Sequence, residues 1–335
     1  MRSLPDALDV GTVAVALRDR WGFDPEVVEY APVGAGSYHW NVVDGDGRRG
    51  FVTVDDLDQK AWLGDVRDTV FDGVRRAFDT AAALRDAGLR FVVAPLSARS
   101  GESVRRLDAR YSLALFPHVD GEAGEFGYFE DDAEGWSTVV AMLADLHAAT
   151  RSAGAAVPAL GFDLPAVGHL EAALRERDEP WSGGPLSEAA REAVQAAATD
   201  LTELLALAGR LRADALTRCG DWVVTHGEPH AGNVMRTGDG ARLVDWDTVA
   251  LGPPERDLWM LVAGGGAEAG ALYHRLTGTE PDPAALDFFR LTWDLKDLGE
   301  YLYVLRGPHE ENDDTLRSYG ALVAAATLRK SWVSS

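Results

Sequence analysis

The chain has 335 residues and a formal net charge of −22, from 54 acidic against 32 basic residues, and 46% of it is hydrophobic, so it is globular and long enough for two lobes or domains. The acidic excess excludes broad contact with nucleic acid or an anionic membrane surface, both of which require basic charge, and suits a small cationic molecule. The single cysteine, Cys219, excludes an internal disulfide framework, no apolar run reaches the roughly 20 residues that span a bilayer, and Pro5, Asp6 and Asp9 interrupt what would be a signal-peptide core, so a cytoplasmic protein is expected.

Residues 6–20 have helical spacing, and VVEYAPV (27–33) reads as a strand followed by the turn-rich GAGS. YHWNVV (38–43) and FVTV (51–54) read as a hairpin with Asp-Gly at its turn. Val70, Val74, Phe78, Ala82 and Leu84 share one face of a helix predicted over 61–87, ending near Gly88. FVVAPLSA (91–98) and YSLALFP (111–117) read as another strand pair. From about residue 118 the character changes. DGEAGEFGYFEDD is an acidic connection, 136–150 an amphipathic helix, and 187–216 a long helical stretch, in one kinked piece or two. WVVTH (222–226) and ARLVDWD (241–247) are short β-like runs, and 256–334 is mostly helical. The expectation is an α+β chain, with a small β-rich lobe over 1–117 and a larger helical lobe over 118–335.

GDGRRG (45–50) matches G-x-G-x-x-G, but a dinucleotide fingerprint leaves a strand and opens a helix, whereas this one joins two β runs and reads as a hairpin turn. No Gly-Lys dipeptide exists, which excludes a Walker A loop, and G-x-S-x-G, H-E-x-x-H and paired C-x-x-C are absent. The informative block runs from Trp222 to Leu258. His226 and Gly227 precede a carboxylate, Glu228; Asn233 follows five positions later; and after the turn TGDG (237–240) the run ARLV delivers Asp245 and Asp247. Phosphoryl transfer from a nucleotide needs a carboxylate to orient or deprotonate the attacking hydroxyl and oxygen ligands for Mg²⁺ on the phosphates. The order carboxylate, amide, hairpin carboxylate reproduces the spacing of the protein-kinase catalytic loop. His226 is grouped with Glu228 at this centre, where such a histidine holds the loop backbone by hydrogen bonds.

HGEPHAGNVM resembles the H-G-D-x-x-x-x-N motif of the aminoglycoside phosphotransferase and choline kinase-like superfamily, and VDWDTVALGPPERDL resembles its metal motif, in a form similar to spectinomycin-type phosphotransferases. LFPHVDGEAG (115–124) is similar to the hinge that holds adenine by its backbone, and VGAGSYHW (33–40) stands where the nucleotide loop would. The resemblance implies a bilobal protein kinase-like fold. It implies Glu228 as catalytic base; Asn233 and Asp245, with Asp247 beside them, as Mg²⁺ ligands; and Arg256 and Asp257 as braces behind the loop. Gly34, Gly36, Ser37, Leu115 and Phe116 would meet ATP or GTP. Two departures stand out. Glu228 replaces the family's aspartate. The strand that carries the family's phosphate-binding lysine reads FVTVDDLD, without one. The chain has only Lys60, Lys296 and Lys330, so Lys60 is the N-lobe candidate, with Arg48, Arg49, Arg75 or Arg76 as substitutes; the acid on the following helix would be Asp79.

A polycationic acceptor would want carboxylates. Asp294 and Asp297, with Glu300, lie at i, i+3 and i+6 among Trp293, Tyr301 and Tyr303 and are the candidate substrate contacts. The expected function is ATP- or GTP- and Mg²⁺-dependent O-phosphorylation of a small hydroxylated, cationic molecule. The leading class is an aminoglycoside or aminocyclitol antibiotic such as a spectinomycin-like compound, which would make the protein a resistance enzyme. The alternatives are a metabolic kinase for choline, an amino acid or a sugar, and a degenerate kinase fold that binds without transfer. Monomer and homodimer are both open.

Overall fold

A computed structural model of the chain describes residues 8–34, 37–64, 66–154, 157–161, 165–218 and 220–325. Gly36, Cys219 and Lys330 lie outside the described residues. In chain order the elements are α1 (Val10–Ala16), β1 (Pro25–Ala31), β2 (Ser37–Asp44), β3 (Arg49–Asp56), α2 (Arg67–Asp86), β4 (Arg105–Arg106), β5 (Tyr111–Pro117), β6 (Gly121–Ala123) and α3 (Ala133–Ala148). They continue with α4 (Pro165–Arg175), α5 (Ser187–Arg218), β7 (Val223–Thr225), β8 (Val234–Thr237), β9 (Gly240–Leu243), β10 (Ala250–Gly252), α6 (Glu255–Thr277), α7 (Pro283–Arg306) and α8 (Asp313–Ala325). The chain is α+β: an antiparallel sheet comes first and helices follow. It forms two compact units, 1–160 with 220–281 and 161–219 with 282–335, so the lobe boundary read at 117/118 falls inside the first unit.

In the first unit a five-stranded sheet runs in the order β1-β2-β3-β5-β4, antiparallel throughout. Side-chain alternation gives it two faces. Tyr38, Trp40, Val42, Val52, Val54, Leu113 and Leu115 point to one face and bury against Val13 and Leu17 of the N-terminal helical segment. On the other, Ala114 and Phe116 pack against Val74 and Phe78 of α2, and the register places His39, Thr53, Asp55 and Ser112 on that same face. The Asp-Gly turn at 45–48 joins β2 to β3 as a hairpin, as its turn chemistry predicts.

Two expectations change. Residues 91–98 form no strand beside β5: Pro95 has no N–H to donate, and the segment turns to β9, with Val93 N–H on the Leu243 carbonyl and Leu243 N–H on that of Phe91. The helix expected from 61 begins at Arg67, because short 3₁₀ turns at Leu57–Gln59 and Ala61–Leu63 precede it. The stretch 187–216, by contrast, is one continuous helix, α5.

The rest of the first unit comprises α3, α6 and two small sheets, β10-β7 and β6-β8-β9. In the second unit α4, α5, α7 and α8 enclose a core that includes Leu170, Val194, Leu201, Leu295, Leu298 and Leu302. There α4 and α7 come so close that a Cβ on Gly299 would lie 1.8 Å from the Ala166 carbonyl oxygen, so only glycine fits. Among the described residues no helix is long and apolar enough to cross a membrane.

Candidate active site

Strand pairing builds the site. β7 and β10 pair with Thr225 opposite Ala250, so the segment leaving β7 and the one entering β10 lie side by side. The first is the loop 226–233 and the second is 244–249. Three hydrogen bonds tie them: Val244 N–H to the Asn233 carbonyl (3.0 Å), His226 Nε2–H to the Val244 carbonyl (2.9 Å), and Thr248 Oγ1–H to the His226 carbonyl (2.8 Å). Glu228 N–H donates to His226 Nδ1 (3.2 Å), and Asn233 Nδ2 donates to the Glu228 carbonyl (2.9 Å). Both backbone polar groups of Glu228 are therefore held.

His226 is fully buried and has a backbone partner on each ring nitrogen. Those partners fix the neutral Nε2–H tautomer, and burial lowers its pKa to the same effect. Of the two residues expected at the catalytic centre, His226 is the one whose ring contacts hold the loop. Behind it, the first turn of α6 supplies Asp257, fully buried, which accepts Gly227 N–H (2.6 Å), His226 N–H (2.9 Å) and His147 Nε2–H (3.1 Å). Burial alone would raise the Asp257 pKa; the His147 hydrogen bond and the neighbouring Arg256 guanidinium help outweigh it and hold the carboxyl below its ordinary range. Tyr273 Oη in turn lies 2.8 Å from His147 Nδ1. Arg256 donates to Thr225 Oγ1 and to the Thr248 carbonyl, both at 2.7 Å. Gly227 has φ +101°, and a Cβ there would meet the Arg256 guanidinium at 2.3 Å.

β9 ends at Leu243, and Asp245 takes the left-handed conformation (φ +65°) rare for a side-chain-bearing residue. This turn brings Asp245 and Asp247 to a common place. The Asp245 side chain keeps an open face to solvent but protein surrounds it on its other sides. That desolvation, and the charge of Asp247, push its pKa well up. Here Lys60 enters. It follows the first 3₁₀ turn after β3, is 2% exposed, and its ammonium is ion-paired with Asp247 and, at 3.2 Å, with Asp55 of β3. Burial alone would lower the Lys60 pKa; Asp247, Asp55 and Asp245 outweigh it and keep the ammonium charged. The ammonium also lies over the Trp62 ring, 5.2 Å from its centroid. One ammonium thus faces Asp55, Asp245 and Asp247. That leaves negative charge which a divalent cation would offset, and the side-chain oxygen of Asn233, whose amide nitrogen is used, adds a neutral donor. Among the described residues no group of three or more His, Cys, Asp or Glu side chains is arranged as a closed metal cage; Mg²⁺, which keeps waters and phosphate oxygens in its shell, needs none.

The nucleotide-side expectations divide. Ser37 is buried, and its Oγ donates to Asp55 (2.8 Å). Gly34 sits against His39, whose Nε2 would lie 3.2 Å from an added Cβ. Phe116 shares the sheet face of Thr53 and Asp55 and meets Phe78 of α2 edge-on. Leu115 points to the opposite face, into the core against α1, and its carbonyl accepts Leu96 N–H, so it stands apart from the site. Arg48 and Arg49 pair with Asp44 and Asp120, Arg75 with Asp72 and Asp79, and Arg76 binds the Val157 carbonyl, so none of these reaches the Asp245–Asp247 pair through those contacts. Asp79 takes Ser103 Oγ–H and Arg75. Asp294 and Asp297 lie half-buried on α7, in the second unit, and burial with the charges of Asp297 and Glu300 pushes Tyr301 up to about 12.

Residues that the motif reading passed over include His147 and Tyr273, which carry no local signal, and His39. The last shares strand parity with Ser37, stacks on Phe51 (5.1 Å), and its Nδ1 lies 3.2 Å from Thr53 Oγ1. Burial lowers its pKa to about 3, so it is neutral.

Residues 32–289 match the model of a family described as the phosphotransferase enzyme family. Protein StrN of Streptomyces griseus is 29% identical over 253 residues, 72% of this chain and 73% of its own. Among solved structures, spectinomycin phosphotransferase APH(9)-Ia in complex with ADP and spectinomycin superposes with a TM-score of 0.73 at 16% identity, over 97% of this chain and 99% of that one. The amicoumacin kinase hAmiN, in complex with AMP-PNP, Ca²⁺ and Ami, has a TM-score of 0.62 at 13% identity, over 97% and 94%.

Proposed function

The chain belongs to the phosphotransferase enzyme family, and from that premise we propose that it moves the γ-phosphoryl group of ATP or GTP to a hydroxyl of a small cationic molecule, an aminoglycoside or aminocyclitol antibiotic being the leading class. The observation that carries the reading is the lysine–carboxylate cluster of Lys60, Asp55, Asp245 and Asp247 beside the loop that holds Glu228 and Asn233. The ligands named for the spectinomycin and amicoumacin enzymes, ADP with spectinomycin and AMP-PNP with Ca²⁺ and Ami, are consistent with it.

In the proposed reaction Glu228 accepts the acceptor hydroxyl's proton as that oxygen bonds to the γ-phosphorus. The bond between that phosphorus and its bridging oxygen breaks, and the nucleoside diphosphate departs with the electron pair. Asp245, Asp247 and Asn233 would hold Mg²⁺, which when bound offsets phosphate charge. Lys60 adds a fixed positive charge on the phosphates, which is worth more in a water-poor site. His226 and Asp257 keep the Glu228 backbone in register, so the carboxylate need not be reorganised at the moment of transfer. On this reading Lys60 takes the place of the missing strand lysine, which speaks against a degenerate fold.

The test is purified protein with Mg-ATP or Mg-GTP and a panel of aminoglycosides, aminocyclitols, choline, ethanolamine, amino acids and sugars, read by diphosphate release and by the mass of one added phosphoryl group. Glu228→Gln is expected to lower kcat by about 10²–10⁴ with nucleotide affinity unchanged. Turnover of a metabolite alone would reject the antibiotic class. Full activity of Glu228→Gln would reject the base assignment.

A further inference from the structure

We propose that Asp55 is the positioning residue for Lys60: it holds the lysine by an ion pair whose acid stands on the sheet strand and whose base comes from the segment after it, so that Lys60 can exchange Asp247 for the nucleotide phosphates without losing its place. The inference rests on the proposed phosphoryl transfer.

Three features single out Asp55. First, it is 1% exposed, in the middle of the sheet, and three strands contribute to its fixation. Ser37 Oγ–H of β2 donates to it at 2.8 Å, Ser112 Oγ–H of β5 at 3.3 Å, and the Lys60 ammonium at 3.2 Å. A carboxylate held from both neighbouring strands cannot follow a moving cation, so it is an anchor. Second, the other partner of Lys60, Asp247, is a different kind of acid. It sits in the segment between β9 and β10, two positions from the open-faced Asp245, among the residues proposed to meet Mg²⁺. Once Asp247 serves the metal, its claim on Lys60 weakens, and Asp55 is the carboxylate that remains. Third, Lys60 has a long flexible stem and a point charge that can be presented in many directions. The Asp55 carboxylate on one side and the Trp62 ring near the ammonium limit those directions. The sheet face that would bear a lysine thus bears its counter-ion, and the signs of strand and partner are exchanged. Asp79 of α2, engaged with Ser103 and Arg75, completes the picture: the helix acid is employed elsewhere.

The experiment is a double-mutant cycle of Asp55→Asn and Lys60→Met on the full chain. ATP affinity is read by calorimetry, and KM for ATP and for the acceptor by steady-state kinetics. Asp55→Asn is expected to weaken ATP binding and raise its KM at least tenfold with acceptor KM unchanged, and to do nothing further once Lys60 is Met. Because Lys60→Met alone leaves the buried Asp55 carboxylate without its cation, the double variant is also expected to unfold at a higher temperature than Lys60→Met. If the single variants do not fold, the double variant against wild type keeps the comparison: ATP binding equal to wild type in Asp55→Asn/Lys60→Met overturns the proposal. So do independent, additive effects of the two substitutions, or Asp55→Asn kinetics within twofold of wild type. Failure of the broader reading looks different: wild-type protein then phosphorylates nothing in the panel, whatever the cycle shows for binding.

Discussion

Asp257→Asn is isosteric and removes one negative charge, which makes it a sharp probe of how the catalytic loop is held. In the folded protein the two carboxylate oxygens accept three N–H groups: Gly227 on one, His226 and His147 on the other. An amide has one accepting oxygen, so its NH₂ must point at a donor whichever way it turns. The substitution leaves at least one buried N–H without an acceptor, at about 1–3 kcal/mol, and turns the remaining charge-assisted bonds into neutral ones at about 1 kcal/mol less each. The sum is about 3–5 kcal/mol, a large part of the roughly 5–15 kcal/mol that holds a folded domain. For a unit of this size the unfolding temperature falls by about 10 °C. Urea and thermal unfolding followed by far-ultraviolet circular dichroism measure it. Asp239→Asn, on an exposed turn beside Arg242, is the control and leaves the midpoint in place. A shift below about 1 kcal/mol in Asp257→Asn would show that the three bonds do not carry the loop.

Two further outcomes follow from the same region. His230, 7% exposed, titrates at 6.5 when unfolded and, because burial disfavours its charged form, at about 4 when folded. Between those values the unfolded chain binds the extra proton, so stability falls as pH drops through that window, by about 3 kcal/mol at ~1.4 kcal/mol per pH unit; His230→Gln makes the curve of stability against pH shallower there, and an unchanged slope refutes the assignment. Gly227→Ala forces a side chain into φ +101° and onto Arg256, so it costs about 2 kcal/mol or more and loosens the Arg256 bonds to Thr225 and Thr248; an unfolding midpoint equal to wild type would reject that.

What could be read from the sequence follows a physical division. The block from His226 to Asp257 is legible because its spacing is local: a carboxylate, an amide five positions on and a hairpin aspartate fix their neighbours through one loop and one hairpin. Sheet strands β2, β3 and β5 are legible from alternation and β-branched residues. The failures are non-local or turn on sign. FVVAPLSA has the composition of a strand, but composition does not choose a neighbour, and the segment divides its bonds, Phe91 and Val93 with Leu243 of β9 and Leu96 with Leu115 of β5. Asp55 carries the charge opposite to that expected on the strand, and only the fold shows that Lys60 comes back to meet it. His147 and Tyr273 reach Asp257 across separations of 110 and 126 residues in successive contacts, which no periodicity encodes.

The substitution of Glu228 for aspartate gains meaning from the same network. A longer acid on a loose loop could simply retract, and the carboxylate would end where aspartate would place it. Here the Glu228 N–H is held by His226 and its carbonyl by Asn233. His226 is itself held by Asp257 and Val244, and Asn233 by Val244. The backbone has no slack, so on the proposed reading the additional methylene is expressed at the tip. The carboxylate reaches about 1.5 Å farther from the loop, a large fraction of the roughly 3–3.5 Å that separates reacting atoms in a near-attack geometry. The acceptor hydroxyl must then stand correspondingly farther out, or approach from a different side, than it would before an aspartate. Rigidity in the loop thus converts one methylene into a constraint on which hydroxyl of which acceptor can react.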